Sequence, residues 1–337
     1  MSNSKLALEP VHDMEAWGKM VAQSPQGTLF SEPFYLAATG RKLQLLAVKQ
    51  GQEIKAGVAL ILSDDPRRCE LDDLVIYGGV FFTLDPLRQA VKRRHEEFQI
   101  TEYVIEELGR RFETVEFQLS PTFSDMRPFL WYRYGKPAEE KYALELRYTS
   151  LLDISTLAEF VGREEMSPCF NKMETVRRYS VREARKKKGS VALVQTGEVL
   201  VEFYRRLMES QNDPQSSSKL SNIKSVIDSL LREGRGAVYH AMNAEGTVIY
   251  AVCYGWDSKR AYYLFGGGHP QISEPWQGTL VHWEAFNDLA RRLNIREVDL
   301  EGVNSPQRGW FKLGFGGELC PYYHVRSGRG MSAPPGV

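Results

Sequence analysis

One lysine and two carboxylates near the C-terminal end stand in a setting suited to proton and acyl chemistry. Residues 298–301 read Val-Asp-Leu-Glu, the alternation of a half-buried strand with Asp299 and Glu301 on one face. Gly302 ends that strand, and Asn304-Ser305-Pro306 reads as a turn. Residues 309–315 form a short aromatic segment with one cation, Lys312, between Phe311 and Leu313. Gly316-Gly317 then lets the backbone bend into a last strand over about residues 318–325. An ammonium in apolar company is costly unless a charge meets it. Asp299 or Glu301 could do so at rest, and an oxyanion formed on a carbonyl could do so during a reaction. The same residues also fit a strand–helix–strand core with an incidental lysine.

The elements that must position these groups recur along the chain. The first half reads as strands over 43–49 and 54–62 around the turn Gln50-Gly51-Gln52-Glu53. A third strand region, 71–82, is broken at Gly78-Gly79. A basic, helix-rich stretch then runs to Phe112, with strands at 115–119 and 141–147 after it. The second half reads as strands over 237–242, 248–254 and 260–265, the last running into Gly266-Gly267-Gly268. A helix over 277–293, the strand 298–301, the aromatic segment and the last strand complete it. The order is the same in both halves, so residues 28–148 are expected to repeat residues 236–325. The expected fold class is α/β, with domains at 1–150 and 151–325 and with residues 318–330 able to cross back to the first. Residues 1–27 begin with apolar residues near helical spacing, namely Val11, Met14, Trp17, Met20 and Val21. Residues 326–337 read as a frayed tail.

A helical connector, 168–188, joins the halves, with Ser167 as N-cap, Pro168 in the first turn and Gly189 as its stop. It is strongly basic, and Arg178, Arg182 and Arg185 share one face. That face is either a solvated surface or a contact for phosphates. On the helix over 277–293, Trp283, Phe286, Leu289, Ala290 and Leu293 form a core stripe, and His282 beside it reads as a core histidine. Asp125, Arg127 and Trp131 combine an ion pair with an aromatic ring, as an acceptor site or a structural pair would.

Composition narrows the classes. The chain has 337 residues, with Lys+Arg and Asp+Glu balanced at 43 each, which disfavours DNA binding. Four widely spaced cysteines argue against a zinc site or a disulfide scaffold and fit a reducing compartment. No signal peptide or membrane span is expected, so the expected location is cytoplasmic, with no integral membrane contact. P-loop, dinucleotide-binding, zincin and serine-hydrolase motifs are missing.

The run Asp299-Leu300, Gly302, Phe311-Lys312, Phe315-Gly316-Gly317 and then a tyrosine-bearing strand resembles the C-terminal signature of the FemABX-like branch of the GNAT-fold acyltransferases. The resemblance implies two tandem GNAT-like domains with a cleft between them. It implies N-acyl transfer from acyl-CoA or aminoacyl-tRNA to an amine of a cell-envelope or polysaccharide precursor, with no tightly bound cofactor and no metal. Lys312, Glu301, Asp299 and Phe311 would then be catalytic. Arg178, Arg182, Arg185, Gln277 and Gly278 would meet the donor, with tRNA as one possible partner. Tyr77, Asp125, Arg127, Trp131 and Phe315 would meet the acceptor. The sequence departs from the peptidoglycan-building enzymes in having Ser120-Pro121 where those have Asp-Pro. It also has Phe34 and Ala38 where those have Trp and Lys. Both departures point away from a muropeptide acceptor and toward acyl-CoA. A non-catalytic tandem GNAT-like scaffold is the alternative.

Overall fold

In the computed structural model, which describes residues 5–85 and 87–328, the chain divides into two units. One is formed by Met1–Arg147 with Pro321–Val337, and the other by Tyr148–Cys320.

The first unit starts with a strand, β1 (Leu6–Pro10), ahead of the residues at helical spacing. Helix α1 (Met14–Gln23) follows, capped by the Asp13 carboxylate, which accepts from the Ala16 N–H at 3.0 Å. Its Trp17, Met20 and Val21 are buried. After α2 (Pro33–Ala38), β2 (Lys42–Gln50) and β3 (Glu53–Leu62) form a hairpin with Gln50 opposite Glu53. Gly51 takes the positive φ that its two-residue turn requires. The third strand is only β4 (Gly79–Phe82). The residues before it are drawn into turns, because the Asp72 carboxylate accepts from the Leu74 N–H at 2.8 Å. Helix α3 (Ala90–Arg111), β5 (Thr114–Gln118), α4 (Arg127–Trp131) and β6 (Ala143–Asp153) complete this stretch.

The second unit begins with two helices, α5 (Pro168–Lys172) and α6 (Thr175–Lys186), in place of one connector. The chain is extended at Met173 and Glu174, and the Glu174 N–H donates to the Gly314 carbonyl at 2.9 Å, not into a helix. The left-handed residue that ends α6 is Lys188. Gly189 follows it with no room for a side chain, since a Cβ would meet the Trp276 ring at 2.6 Å. The rest of the unit is β7 (Ser190–Val194), α7 (Glu198–Ser210), α8 (Ser217–Arg232), β8 (Gly236–Met242), β9 (Val248–Trp256) and β10 (Ala261–Gly268). Then come α9 (Gln277–Leu293), β11 (Glu297–Asp299), α10 (Pro306–Leu313) and β12 (Glu318–Gly328). Residues 326–328 therefore extend a strand, and the remainder of the expected tail lies outside the described residues.

Corresponding strands follow the same order in the two units. The first has β1-β2-β3-β4 and a β5–β12 pair, and the second has β7-β8-β9-β10-β11-β6. The unit boundaries fall inside β6 and β12. Each unit is thus closed by an antiparallel strand from the far end of the sequence, β12 on β5 and β6 on β11. In the second unit the parallel junction is the weakest, with two residue pairs between β10 and β11, and in the first β4 and β5 share no ladder. Each unit has its own core, built in the second around Trp283, Phe286, Leu289 and Ala290 of α9. Asn294 ends α9 in the left-handed conformation. Among the described residues, no helix is long and apolar enough to cross a membrane.

Gly316 has φ +84°, and a Cβ there would lie 2.5 Å from the Lys172 carbonyl oxygen. Gly246 has φ +79° with open space around it. Alanine at either position should cost about 1–2 kcal/mol for the backbone conformation. Gly316→Ala should cost clearly more because backbone must also move. Urea unfolding of both variants measures this, and equal losses would mean that Gly316 is not pinned by Lys172.

Candidate active site

The site forms where β10 and β11 part. Ala261 pairs with Val298 and Tyr262 with Asp299, after which β10 continues to Gly268 while β11 stops. Asp299 is fully buried. Its Oδ1 accepts from the Thr149 hydroxyl and, at 2.8 Å, from the Glu301 N–H. That second bond is an Asx turn, and it ends the strand. Glu301 therefore does not share a strand face with Asp299 as the alternation implied; it sits in the left-handed region at φ 56°. Such a conformation is uncommon for a non-glycine residue and costs on the order of 1–3 kcal/mol. The next residues are tied to β6. Leu300 N–H donates to Ser150 O at 2.9 Å and Val303 N–H to Tyr148 O at 3.0 Å. The Asn304 side chain brackets Tyr148, accepting from its N–H at 2.7 Å and donating to its carbonyl at 3.1 Å.

The aromatic segment is helical. Ser305 is the N-cap of α10, Pro306 opens it, and Phe311 and Lys312 lie near its end. Gly309 lets α10 approach the turn, since a Cβ would meet the Val303 carbonyl at 2.6 Å. Lys312 Nζ donates to the Gly302 carbonyl at 3.2 Å and lies 5.2 Å from the centre of the Tyr263 ring. Below it, His282, Phe286, Phe311 and Phe315 pack as one ring cluster with centroids 5.3–6.1 Å apart. Phe315 is buried in that cluster, which makes it a supporting residue, not a surface for an acceptor.

Burial sets the electrostatics. Loss of water pushes the Glu301 carboxyl well above its usual range, opposed by the Lys312 charge and reinforced by Asp299. Its Oε1 is buried with no hydrogen-bond partner. Loss of water also lowers the Lys312 ammonium below its ordinary value, against the pull of Glu301. His282 is pushed down to about 3, first by burial and then by the Lys312 and Arg177 charges. Its Nδ1 shares a hydrogen bond of 2.5 Å with the Tyr254 hydroxyl, while Nε2 has no partner. Arg177 stacks over Phe311 at 4.5 Å and donates from Nη1 to the Thr279 hydroxyl in the first turn of α9 at 3.0 Å.

The other residues picked from the sequence are dispersed. Arg182 and Arg185 both bind Glu165, each at 2.7 Å, and Arg178 donates to Thr175 at 3.1 Å. The cation that reaches the start of α9, beside Gln277 and Gly278, is Arg177, one position from the expected face. Gly278 faces Phe311, with a Cβ there 3.3 Å from the ring. Tyr77, Asp125, Arg127 and Trp131 belong to the first unit. Tyr77 is buried between Phe30 and Tyr322, a core position. Asp125 and Arg127 pair at 2.6 Å on the surface, with Arg127 over Trp131. His282 is buried in the ring cluster, as its place on the core stripe implied. Arg177 was passed over because it lies in a run of charges and does not stand out by type or spacing.

A sequence profile of the Acetyltransferase (GNAT) domain matches residues 171–308. No curated protein matches by sequence. Among solved structures, FemX superposes with TM-score 0.65 at 12% identity, covering 94% of this chain and 96% of that one. The C-terminal domain of a putative lysylphosphatidylglycerol synthetase from Agrobacterium fabrum gives 0.58 at 12% identity, covering 93% and 91%. A tandem GNAT protein from the clavulanic acid biosynthesis pathway gives 0.55 at 13% identity, covering 98% and 100%. The fold is thus a tandem GNAT fold. That two-domain fold is the one the C-terminal signature implied.

A histidine held neutral inside the fold lowers stability on acidification, because only the unfolded chain takes up its proton. With a folded value of about 3, this loss runs from pH near 6.5 down toward 3. His282→Gln should therefore show a shallower fall in melting temperature between pH 6.5 and 4 than the unchanged chain. Parallel melting curves across pH would contradict a buried neutral ring.

Proposed function

We propose that the chain is an N-acyltransferase whose chemistry runs at Lys312 and Glu301. The observation that carries this reading is the pairing of a poorly solvated ammonium with a buried carboxyl whose Oε1 has no partner, at the open parallel junction of a GNAT unit. An acceptor amine attacks the donor carbonyl, and the new carbon–nitrogen bond leaves negative charge on oxygen. Lys312 stabilises that oxyanion. Glu301, its carboxyl raised well above the usual range by burial, is suited to take the amine proton and pass it to the leaving thiolate as the carbon–sulfur bond breaks. Phe311 keeps water away. Asp299 acts by holding the turn that presents Glu301.

Acyl-CoA is the favoured donor and aminoacyl-tRNA the alternative. Gln277, Gly278 and Arg177 at the start of α9 are suited to donor phosphates. Arg182 and Arg185, already neutralised by Glu165, are less so. The acceptor class is an amine of a cell-envelope or polysaccharide precursor. A non-catalytic binding scaffold is the competing reading, and it predicts no turnover of any donor.

The test is thiol release from a panel of acyl-CoA donors with amine acceptors. Lys312→Met keeps the apolar stem and should hold the melting temperature while lowering the rate by roughly 100- to 1000-fold. A lowered melting temperature with full specific activity would end the catalytic assignment.

A further inference from the structure

The outer face of α3 and α4, in the first unit, carries chemistry that acyl transfer does not use. Leu87, just before α3, and Val91, in its first turn, are 91% and 71% exposed. Leu130 and Trp131 at the end of α4, and Tyr134 just after it, are 57%, 51% and 83% exposed. The two stretches meet, since Trp131 packs on Phe98 of α3 with ring centroids 5.4 Å apart. Val91, Arg94, His95, Phe98, Arg127 and Trp131 line one shallow groove of about 320 Å³. The Arg127 guanidinium lies over both rings, at 5.2 and 5.6 Å.

Charge is asymmetric here although the whole chain is balanced. Residues 87–98 and 125–136 hold seven Lys or Arg against three Asp or Glu; Arg88, Arg93, Arg127 and Arg133 each pair with a carboxylate, so Lys92, Arg94 and Lys136 carry the surplus. Large apolar side chains standing free in water, mixed with a Trp, a Tyr and a surplus of cations, match the layered chemistry of a lipid headgroup region. Apolar tips and aromatic rings enter the acyl boundary while Lys and Arg stay at the phosphates. Each cation near an anionic leaflet adds to the attraction, which salt screens. A protein partner would favour a drier patch with fewer charges at its centre.

We propose that this face is a peripheral docking surface for bilayers rich in anionic phospholipid. It brings the folded chain to the membrane surface without inserting a helix. The claim is independent of the acyl-transfer reading.

Vesicle flotation of the full chain tests it without any activity assay. The chain should float with phosphatidylglycerol-rich vesicles, stay behind with phosphatidylcholine vesicles, and be released by raised salt. Trp131→Ala, and Lys92→Glu with Arg94→Glu, should each weaken partition by about tenfold or more, with circular dichroism and melting temperature confirming the fold. Failure to float with anionic vesicles would overturn the proposal, as would equal partition of the variants. Displacement by free phosphate at low concentration would point to a small-anion site, and a dimer broken by Trp131→Ala without vesicle binding to a protein interface; either would overturn it.

Discussion

The Asp299 carboxylate is the constraint on which the site depends. Buried at the last residue of β11, it takes one hydrogen bond from Thr149 and one from the Glu301 backbone. The second ends the strand and throws Glu301 into a left-handed conformation. The chain must then reach α10 within a few residues, with Gly309 packed against Val303, and this brings Lys312 back to the Gly302 carbonyl. A carboxyl and an ammonium that would each prefer water are thereby held in an aromatic enclosure. Their altered proton affinities follow from that placement, since desolvation is the first cause of both shifts.

The two units share a strand order but differ in the helix that follows β5 and β11. The second unit leaves its parallel β10–β11 junction short, and the first leaves β4 and β5 without a ladder. In the first unit α4 has five residues, and its cation, Arg127, is exposed and paired to Asp125. In the second, α10 has eight residues and carries Lys312 inward. The buried lysine and carboxyl thus sit in the second unit, and the first presents an exposed aromatic and basic face.

Long, strongly patterned elements were legible from the sequence. Helix α9 runs over Gln277–Leu293 as its apolar stripe predicts, and the hairpin strands fall within a residue or two of their alternation. The short edge strands β1 and β7 were not, because five residues give too little alternation to outweigh neighbouring helical spacing. The break between α5 and α6 was hidden because a backbone bond from Glu174 to Gly314, distant in sequence, decides it. Lys312 and Glu301 stood out as charged groups in apolar company. His282 did not, because a histidine on a core stripe is ordinary until its neighbours are known. Its bond to Tyr254 and its place beneath Phe311 exist only in three dimensions. The alternation that placed Asp299 and Glu301 on one face failed for a local reason, the turn that Asp299 itself makes.

The central claim is that Lys312 and Glu301 share a poorly solvated site in which each alters the other's proton affinity. The most direct measurement is an NMR titration of the Lys312 side-chain nitrogen in the folded chain and in Glu301→Gln. The account predicts a Lys312 value below the ordinary 10.5 in the unchanged chain. It predicts a further fall in Glu301→Gln, where the larger opposing charge is gone and only Asp299 still opposes desolvation. A Lys312 that titrates at its ordinary value in both proteins would contradict the account.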